Sequence, residues 1–431
     1  MTRSGQNLIV WMNGRCVGIL AKQRQGGISF EYDPQWLSWP HAIPLSLSLP
    51  LRKGAFENSK MLPFLDNLLP DLPQIRQKLA EKTVARGYDT FSLLETMGRD
   101  CVGALQFLWE NQVPAEANSP VSGRRLGSAD INVLLSNLRK RPLGLSDDEE
   151  FRLSIAGAQE KTALLFYKNH WHIPHSSTAT THILKPAIGL LADGLDLRDS
   201  VDNEYFCMQF VQNLGLPTAD TEICSFEDTK VLAIKRFDRL WTSENTLLRL
   251  PQEDFCQALS CPPTQKYQAD GGPGIMASLE LLQGSDTAVE DRETFFKSIL
   301  VFWLLAAIDG HAKNFSIALY PGGRFKLAPL YDIMSIQPYS DAAQLRKNTI
   351  SFAMSVGSKP HYKLSVISPR HFAETAALAG LPKLVFPTLI DSLKADVPKA
   401  LEKTLSRLPL GFPEKLAMSI QSGVLYRLNK L

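Results

Sequence analysis

"AIDGHAKNF", residues Ala307 to Phe315, sets an acid, a histidine, a lysine and an asparagine between two of the most apolar parts of a 431-residue chain. Ahead of it runs "SILVFWLLAA" (Ser298 to Ala307), without a charge; behind it runs "FSIALY" (Phe315 to Tyr320). Asp309 and Asn314 stand in the pattern D-x-x-x-x-N. That is the spacing of the protein-kinase catalytic loop, where the Asp accepts the proton of the substrate hydroxyl and the Asn holds magnesium. Lys313 adds a cation where a transferring phosphoryl group would need its charge stabilised. The flanks then read as supports for a catalytic loop, with a helix before and a strand after.

"KLAPLYDIMS" follows and places Asp332 at the end of a second apolar strand, 23 residues after Asp309. A carboxylate one hairpin downstream is what a magnesium-binding Asp requires. "YDI" holds the place of the kinase D-F-G, without its glycine. On the residues alone, Asp309-Gly310 also reads as a helix end with glycine as its stop. That reading leaves His311, Lys313 and Asn314 unexplained. His311 by itself fits a structural histidine or a metal ligand as well as a catalytic group.

Composition narrows the classes. The chain has room for two or three domains, and 44% hydrophobic with 21% charged residues fits a globular protein rather than a disordered one. A formal charge of +2 gives no general attraction to nucleic acid or membrane. The six cysteines are scattered with no CxxC pair, which speaks against a disulfide framework or a zinc site. The N-terminal "MTRSGQNLIVWMNGRCVGIL" is broken by polar residues and is not a signal peptide. The longest apolar run is about half of the ~20 residues a membrane span needs. A cytoplasmic protein is expected.

"LIVWMNGRCVGIL" is a hairpin signal around Asn13-Gly14, and "GISFEYD" and the alternating "PLSLSLPL" read as further strands. Helices are expected in "LPFLDNLLPDLPQIRQKLAEKTVA", punctuated by Pro70 and Pro73, and in "TFSLLETMG", closed by Gly98. Residues 1–110 thus form an α/β subdomain, and 111–150 a linker with a short helix. Residues 151–250 form a sheet lobe containing "KTALLFY", "HWHIP", "THILKP" and "KVLAIKRFD", with a helix "SVDNEYFCMQFVQNLG" capped by Ser200 and closed by Gly215. Residues 251–431 form a mostly helical lobe. The expected class is α+β: a bilobal protein-kinase-like fold, with a mixed α/β N-terminal lobe and a mostly α-helical C-terminal lobe.

That layout requires a phosphate-covering loop and a lysine in the sheet lobe. "FRLSIAGAQEKTALL" offers a small-residue turn, Ala156-Gly157-Ala158, before a strand; with one glycine it reads equally as a plain hairpin turn. Lys185 ends the strand "THILKP", and Glu204 in the following helix is a candidate partner, with Asp202 competing. "AIKRFDR" suits a segment joining lobes, where the backbone reads an adenine edge, or is an ordinary strand end. "DGGPG" (Asp270 to Gly274) reads as an anion-binding turn or a flexible loop.

Taken together, "FRLSIAGAQEKTALL", "THILKP", "SVDNEY", "RFDR", "LRLPQEDFCQ", "KYQADGGPGI", "DGHAKNFS" and "YDI" resemble the HipA family in order and spacing, over essentially the whole chain. "WMNGRCVGIL", "PLSLSLPL" and "DNLLPD" extend the likeness to the N-terminus. HipA proteins are serine/threonine kinase toxins of bacterial type II toxin–antitoxin modules. The resemblance implies ATP and magnesium as cofactors and glutamyl-tRNA synthetase as the protein substrate, whose modification halts translation and promotes persistence. By motif, Asp309 is then the catalytic base, Asn314 and Asp332 bind magnesium, and Lys185 contacts the phosphates. Ala156, Gly157, Ala158, Gln159, Glu160 and Lys161 form the phosphate loop. Lys235, Arg236, Phe237, His311, Ala312, Lys313, Asn314 and Tyr331 complete the nucleotide site. Ser154 matches an inactivating autophosphorylation site, where a phosphate of about −1.5 to −2 charge would draw the loop away. Lys235 stands where the family carries an acid, a charge change beside the nucleotide. The resemblance also implies a HipB-type helix-turn-helix antitoxin as partner. Operator DNA is reached mainly through that antitoxin, with transcriptional repression and nucleoid association in the complex.

Two other readings fit the residues. The one-glycine loop and the missing D-F-G glycine fit a non-catalytic, nucleotide-binding corepressor of the antitoxin–DNA complex. A small-molecule kinase of related fold shares the Asp/Asn/Asp arrangement.

Overall fold

The computed structural model describes residues 6–24, 26–114, 121–138, 159–175, 178–191 and 194–431. The chain divides into two compact units: Met1–Pro186 with Cys224–Thr264 and Ile317–Phe325, and Ala187–Ile223 with Gln265–Ser316 and Lys326–Leu431.

The first unit opens with the antiparallel hairpin Gln6–Met12 and Arg15–Lys22. Its turn is Asn13-Gly14, both with positive φ (46° and 80°), the geometry that makes this dipeptide a hairpin signal. Ile28–Tyr32 and Leu105–Trp109 flank the pair, in the order Ile28–Tyr32, Arg15–Lys22, Gln6–Met12, Leu105–Trp109. Leu8, Val10 and Met12 alternate into a core shared with Phe30, Phe64, Phe91 and Phe107. The helices Asn58–Asp66, Pro73–Lys82 and Thr90–Met97 belong to this subdomain.

"PLSLSLPL" is not a strand. Among the described residues its only ladder contact is a bridge between Ser46 and Leu49. The Ser46 and Ser48 hydroxyls both donate to the Gln257 carbonyl, at 3.3 and 2.9 Å, and Leu47 N–H donates to Glu253 at 2.8 Å. The alternation arises from a tight turn whose serines are consumed by bonds to a segment more than 200 residues away, not from a two-faced sheet.

A second sheet in this unit runs in the order Thr229–Lys235, His182–Pro186, Thr162–Tyr167, His170–Pro174, Gly123–Leu126, all antiparallel. Beside it lies a buried ionic cluster. Asp100 pairs with Arg239 (2.9 Å), Arg249 (3.1 Å) and Arg236 (3.4 Å), and Asp238 pairs with Arg236 (2.7 Å) and Arg239 (2.9 Å). Asp100 also accepts from the Thr180 hydroxyl and N–H, at 2.7 and 3.1 Å. Burial works to raise the Asp100 pKa, and the guanidinium groups of Arg239, Arg249 and Arg236 outweigh it, holding the carboxyl well below the usual range.

The second unit is built on helices: Ser200–Asn213, Ala288–Leu305, Pro369–Leu378, Val385–Leu405 and Glu414–Leu428. It also contains a hairpin, Ser351–Val356 with His361–Lys363, that the sequence reading missed in its mostly helical half. Ser200 is the first helical residue rather than the cap; its hydroxyl accepts from Ile188 N–H at 2.9 Å. Gly215 does follow the helix end in a left-handed conformation, φ +79°. Helix Ala288–Leu305 is buried almost continuously from Phe295 onward, so it is a core helix. Among the described residues no helix is long and apolar enough to cross a membrane.

Candidate active site

The polar motif sits just past the end of Ala288–Leu305. That helix stops at Leu305, and Ala306 turns left-handed (φ 54°), with Ala307 N–H returning to Phe302 C=O at 2.8 Å. Gly310 is therefore not the helix stop. It is a glycine because a Cβ there would lie 2.6 Å from the Phe302 ring. Phe315, closing the motif, stacks on Phe302 (5.6 Å) and meets Phe295 edge-on (4.9 Å). The apolar flanks thus clamp both ends of the loop.

Inside it, the Asp309 carbonyl accepts two bonds, from His311 N–H (2.8 Å) and from the Asn314 side-chain amide (2.8 Å). The second spends the Asn314 NH₂ group on the backbone and leaves Oδ1 as the atom that could act as a ligand. The Asp309 side chain is exposed and accepts a 2.6 Å bond from the Tyr267 hydroxyl. His311 is buried, edge-on to the Tyr267 ring at 4.9 Å, and its Nδ1 has no partner among the described residues. Burial, aided by Lys266, lowers its pKa against the pull of Asp309 and Asp332, which favours the neutral imidazole. Lys313 and Ala312 are buried in the same short turn.

Tyr331 and Asp332 come to the motif from the second segment. The Tyr331 hydroxyl donates to Lys313 C=O at 2.8 Å and accepts from the Ser316 hydroxyl at 2.6 Å. The strand Arg324–Leu327 ends well before Asp332, which does not close it as the sequence suggested. Asp332 lies in an exposed left-handed turn, φ +60°. Three residues on, Ser335 is held at both backbone groups by one side chain: Asn203 Oδ1 accepts its N–H and Asn203 Nδ2 donates to its C=O, each at 2.8 Å. Asn203 lies between Asp202 and Glu204, both also buried on that helix.

In the first unit, Lys185 is 5% exposed on the strand His182–Pro186, opposite Leu232. Gln159 donates to Pro186 C=O at 3.2 Å; Glu160 is half-buried and Lys161 buried ahead of the strand Thr162–Tyr167. Ser154, Ala156, Gly157 and Ala158 lie outside the described residues. Lys235 is exposed at a strand end, opposite His182, whose pKa falls to about 4 through burial and then the Lys235 charge. Phe237 is half-buried. All five guanidinium N–H groups of Arg236 are committed, to Asp238, Asp100, Thr180 and Cys101 C=O, so its side chain has no donor left for a ligand.

Tyr267 and Asn203 escaped the sequence reading. Both stood inside quoted segments, but nothing in their spacing marks a bond to residues 42 and 132 positions away.

Two family models match the chain: the HipA N-terminal domain over residues 8–108 and the HipA-like C-terminal domain over residues 153–401. The Sinorhizobium fredii protein Y4mE is 36% identical over 404 residues, 92% of either chain. The serine/threonine-protein kinase toxin HipA of Shewanella oneidensis is 26% identical over 392 residues, 88% of this chain and 84% of that one. The solved structure of Shewanella oneidensis HipA with HipB and its operator DNA has the same fold. It superposes with a TM-score of 0.81 at 22% identity, covering 98% of this chain and 96% of that one. The α+β, bilobal kinase-like class expected from the sequence is therefore the observed one, and the chain belongs to the HipA family.

Proposed function

We propose that this chain is an ATP- and magnesium-dependent serine/threonine protein kinase acting as the toxin of a type II toxin–antitoxin module. The observation that carries the reading is the Asp309 loop. The Asn314 side-chain amide donates to the Asp309 main-chain carbonyl at 2.8 Å, which holds the two residues in one turn.

In the proposed reaction the substrate serine O–H bond breaks and its proton passes to the Asp309 carboxylate. The serine oxygen bonds to the γ-phosphorus, and the bond from that phosphorus to the β–γ bridging oxygen breaks, its electron pair leaving on ADP. Asn314 and Asp332 fit a magnesium site. Both offer hard oxygen donors, and no group of three or more His, Cys, Asp and Glu among the described residues forms a closed metal cage. Magnesium is commonly held by one or two protein oxygens together with substrate phosphates. Bound there, it would neutralise charge on the phosphate oxygens. Lys185 and residues 156–161 are the proposed phosphate-binding group. Lys235, Phe237, the main chain of Arg236, residues His311–Asn314 and Tyr331 complete nucleotide binding.

Glutamyl-tRNA synthetase is the proposed substrate, Ser154 the self-inactivating site, and the cytoplasm the compartment. A HipB-type antitoxin with operator DNA is the proposed partner, supported by the complex in which the Shewanella HipA was solved. The test is transfer of labelled γ-phosphate to Ser154 and to the synthetase. Asp309→Asn is expected to lower transfer roughly a thousandfold while ATP binding persists. A wild-type chain that transfers no phosphate with magnesium present refutes the proposal.

A further inference from the structure

We infer that Tyr267 is a positioning residue for Asp309, and that "KYQADGGPG" is the scaffold that aims it; this rests on the kinase reading above. The Tyr267 hydroxyl donates to Asp309 Oδ1 at 2.6 Å, the short length of a charge-assisted O–H···O⁻ bond. A carboxylate on two rotatable bonds would otherwise swing; pinning one oxygen presents the other, Oδ2, to the substrate hydroxyl whose proton it accepts.

The surrounding contacts exist to hold that phenol. The ring rests edge-on against buried His311 at 4.9 Å. The Tyr267 carbonyl accepts from Asp270 N–H and Gly272 N–H, both at 3.0 Å, across the left-handed Gly271 (φ +92°). Of the three glycines in the segment read from sequence as an anion turn or a flexible loop, Gly272 and Gly274 are closely packed. A Cβ on Gly272 would stand 1.8 Å from Gln265 C=O, and one on Gly274 2.2 Å from the Gln268 side chain. Gln268 in turn accepts from Ser355 N–H at 2.8 Å, and Ala353 N–H donates to Ile308 C=O at 3.0 Å, beside Asp309 itself. The tyrosine segment, the Asp309 loop and the strand Ser351–Val356 therefore form one closed set of bonds, with Tyr267 Oη to Asp309 as the link that reaches a side chain of the reaction.

The test is Tyr267→Phe in the full chain, which removes one oxygen from a partly exposed side chain and keeps the ring against His311. Expected is a fall in kcat of about ten- to a hundredfold, the range for losing a hydrogen bond to a charged group, with KM for ATP within twofold and an unchanged melting temperature. In an Asp309→Asn background, single-turnover rates should show no further loss on adding Tyr267→Phe, because the residue acts only through the carboxylate. An active wild type with kcat unchanged in Tyr267→Phe overturns the inference alone. So does an equal loss with and without the Asp309 carboxylate. A wild type that transfers no phosphate removes the kinase reading and the inference with it.

Discussion

Glu253→Gln should gain stability relative to the wild-type chain as pH rises from acid to alkaline. Glu253 is 0% exposed; Oε1 accepts from Leu47 N–H at 2.8 Å, and Oε2 has no partner among the described residues. Burial first, and the neighbouring Asp254 charge second, push its carboxyl from 4.5 up to about 8. Between these values the folded chain holds a proton that the unfolded chain has released. Stability therefore falls as pH rises through that window, by at most about 1.4 kcal/mol per pH unit and about 4–5 kcal/mol in all. Gln carries no such titration, and any cost of its NH₂ group is common to every pH. Urea unfolding of both chains at pH 5.5 and 8.5 isolates the effect: the stability difference should grow in favour of Gln by about 3 kcal/mol. An identical difference at the two pH values would show that Glu253 does not titrate in the window, and would refute the reasoning.

Asp100→Asn removes the charge that three buried guanidinium groups share, and should cost about 3–5 kcal/mol at pH 7 by urea titration. Because the folded Asp100 pKa is depressed, its contribution is complete above the unfolded value of 3.8 and is lost as pH falls below it. The Asn chain should therefore converge with wild type in strong acid. Gly310→Ala forces a methyl to 2.6 Å from the Phe302 ring, and should cost about 1–3 kcal/mol. A melting temperature within a degree of wild type would contradict that packing account.

The parts of the fold that were legible in the sequence are those set by local chemistry. Asn13-Gly14 encodes its own turn, and the apolar flanks of Asp309 encode a buried helix and a strand. Local pattern misled where a local feature served a distant partner. The serines of "PLSLSLPL" answer to Gln257, and Gly310 answers to Phe302 rather than to the helix end. Arg236 looks like part of a binding segment from its neighbours, yet its donors are consumed by Asp238, two residues on, and by Asp100, whose sequence distance of 136 residues conceals it. The same holds for Tyr267, whose partner is 42 residues away.

The missing D-F-G glycine bears on whether a catalytic carboxylate can be presented at all. The D-F-G glycine, two residues after the aspartate, supplies backbone freedom; here Met334 takes its place, half-buried and without a positive φ, while Ile333 at the Phe position is buried. The left-handed turn falls two residues earlier, on Asp332 itself, at a cost of order 1 kcal/mol or more for a residue with a Cβ. Such a conformation persists only when its surroundings impose it, and both sides are imposed. Tyr331 is tied through its hydroxyl to Lys313 and Ser316, and Ser335 is tied by Asn203 at both backbone groups and by its own hydroxyl to Leu305 C=O. A turn fixed from both ends holds the Asp332 carboxylate outward while Ile333 packs inward. The turn therefore needs no glycine to present the carboxylate that the proposed magnesium site uses.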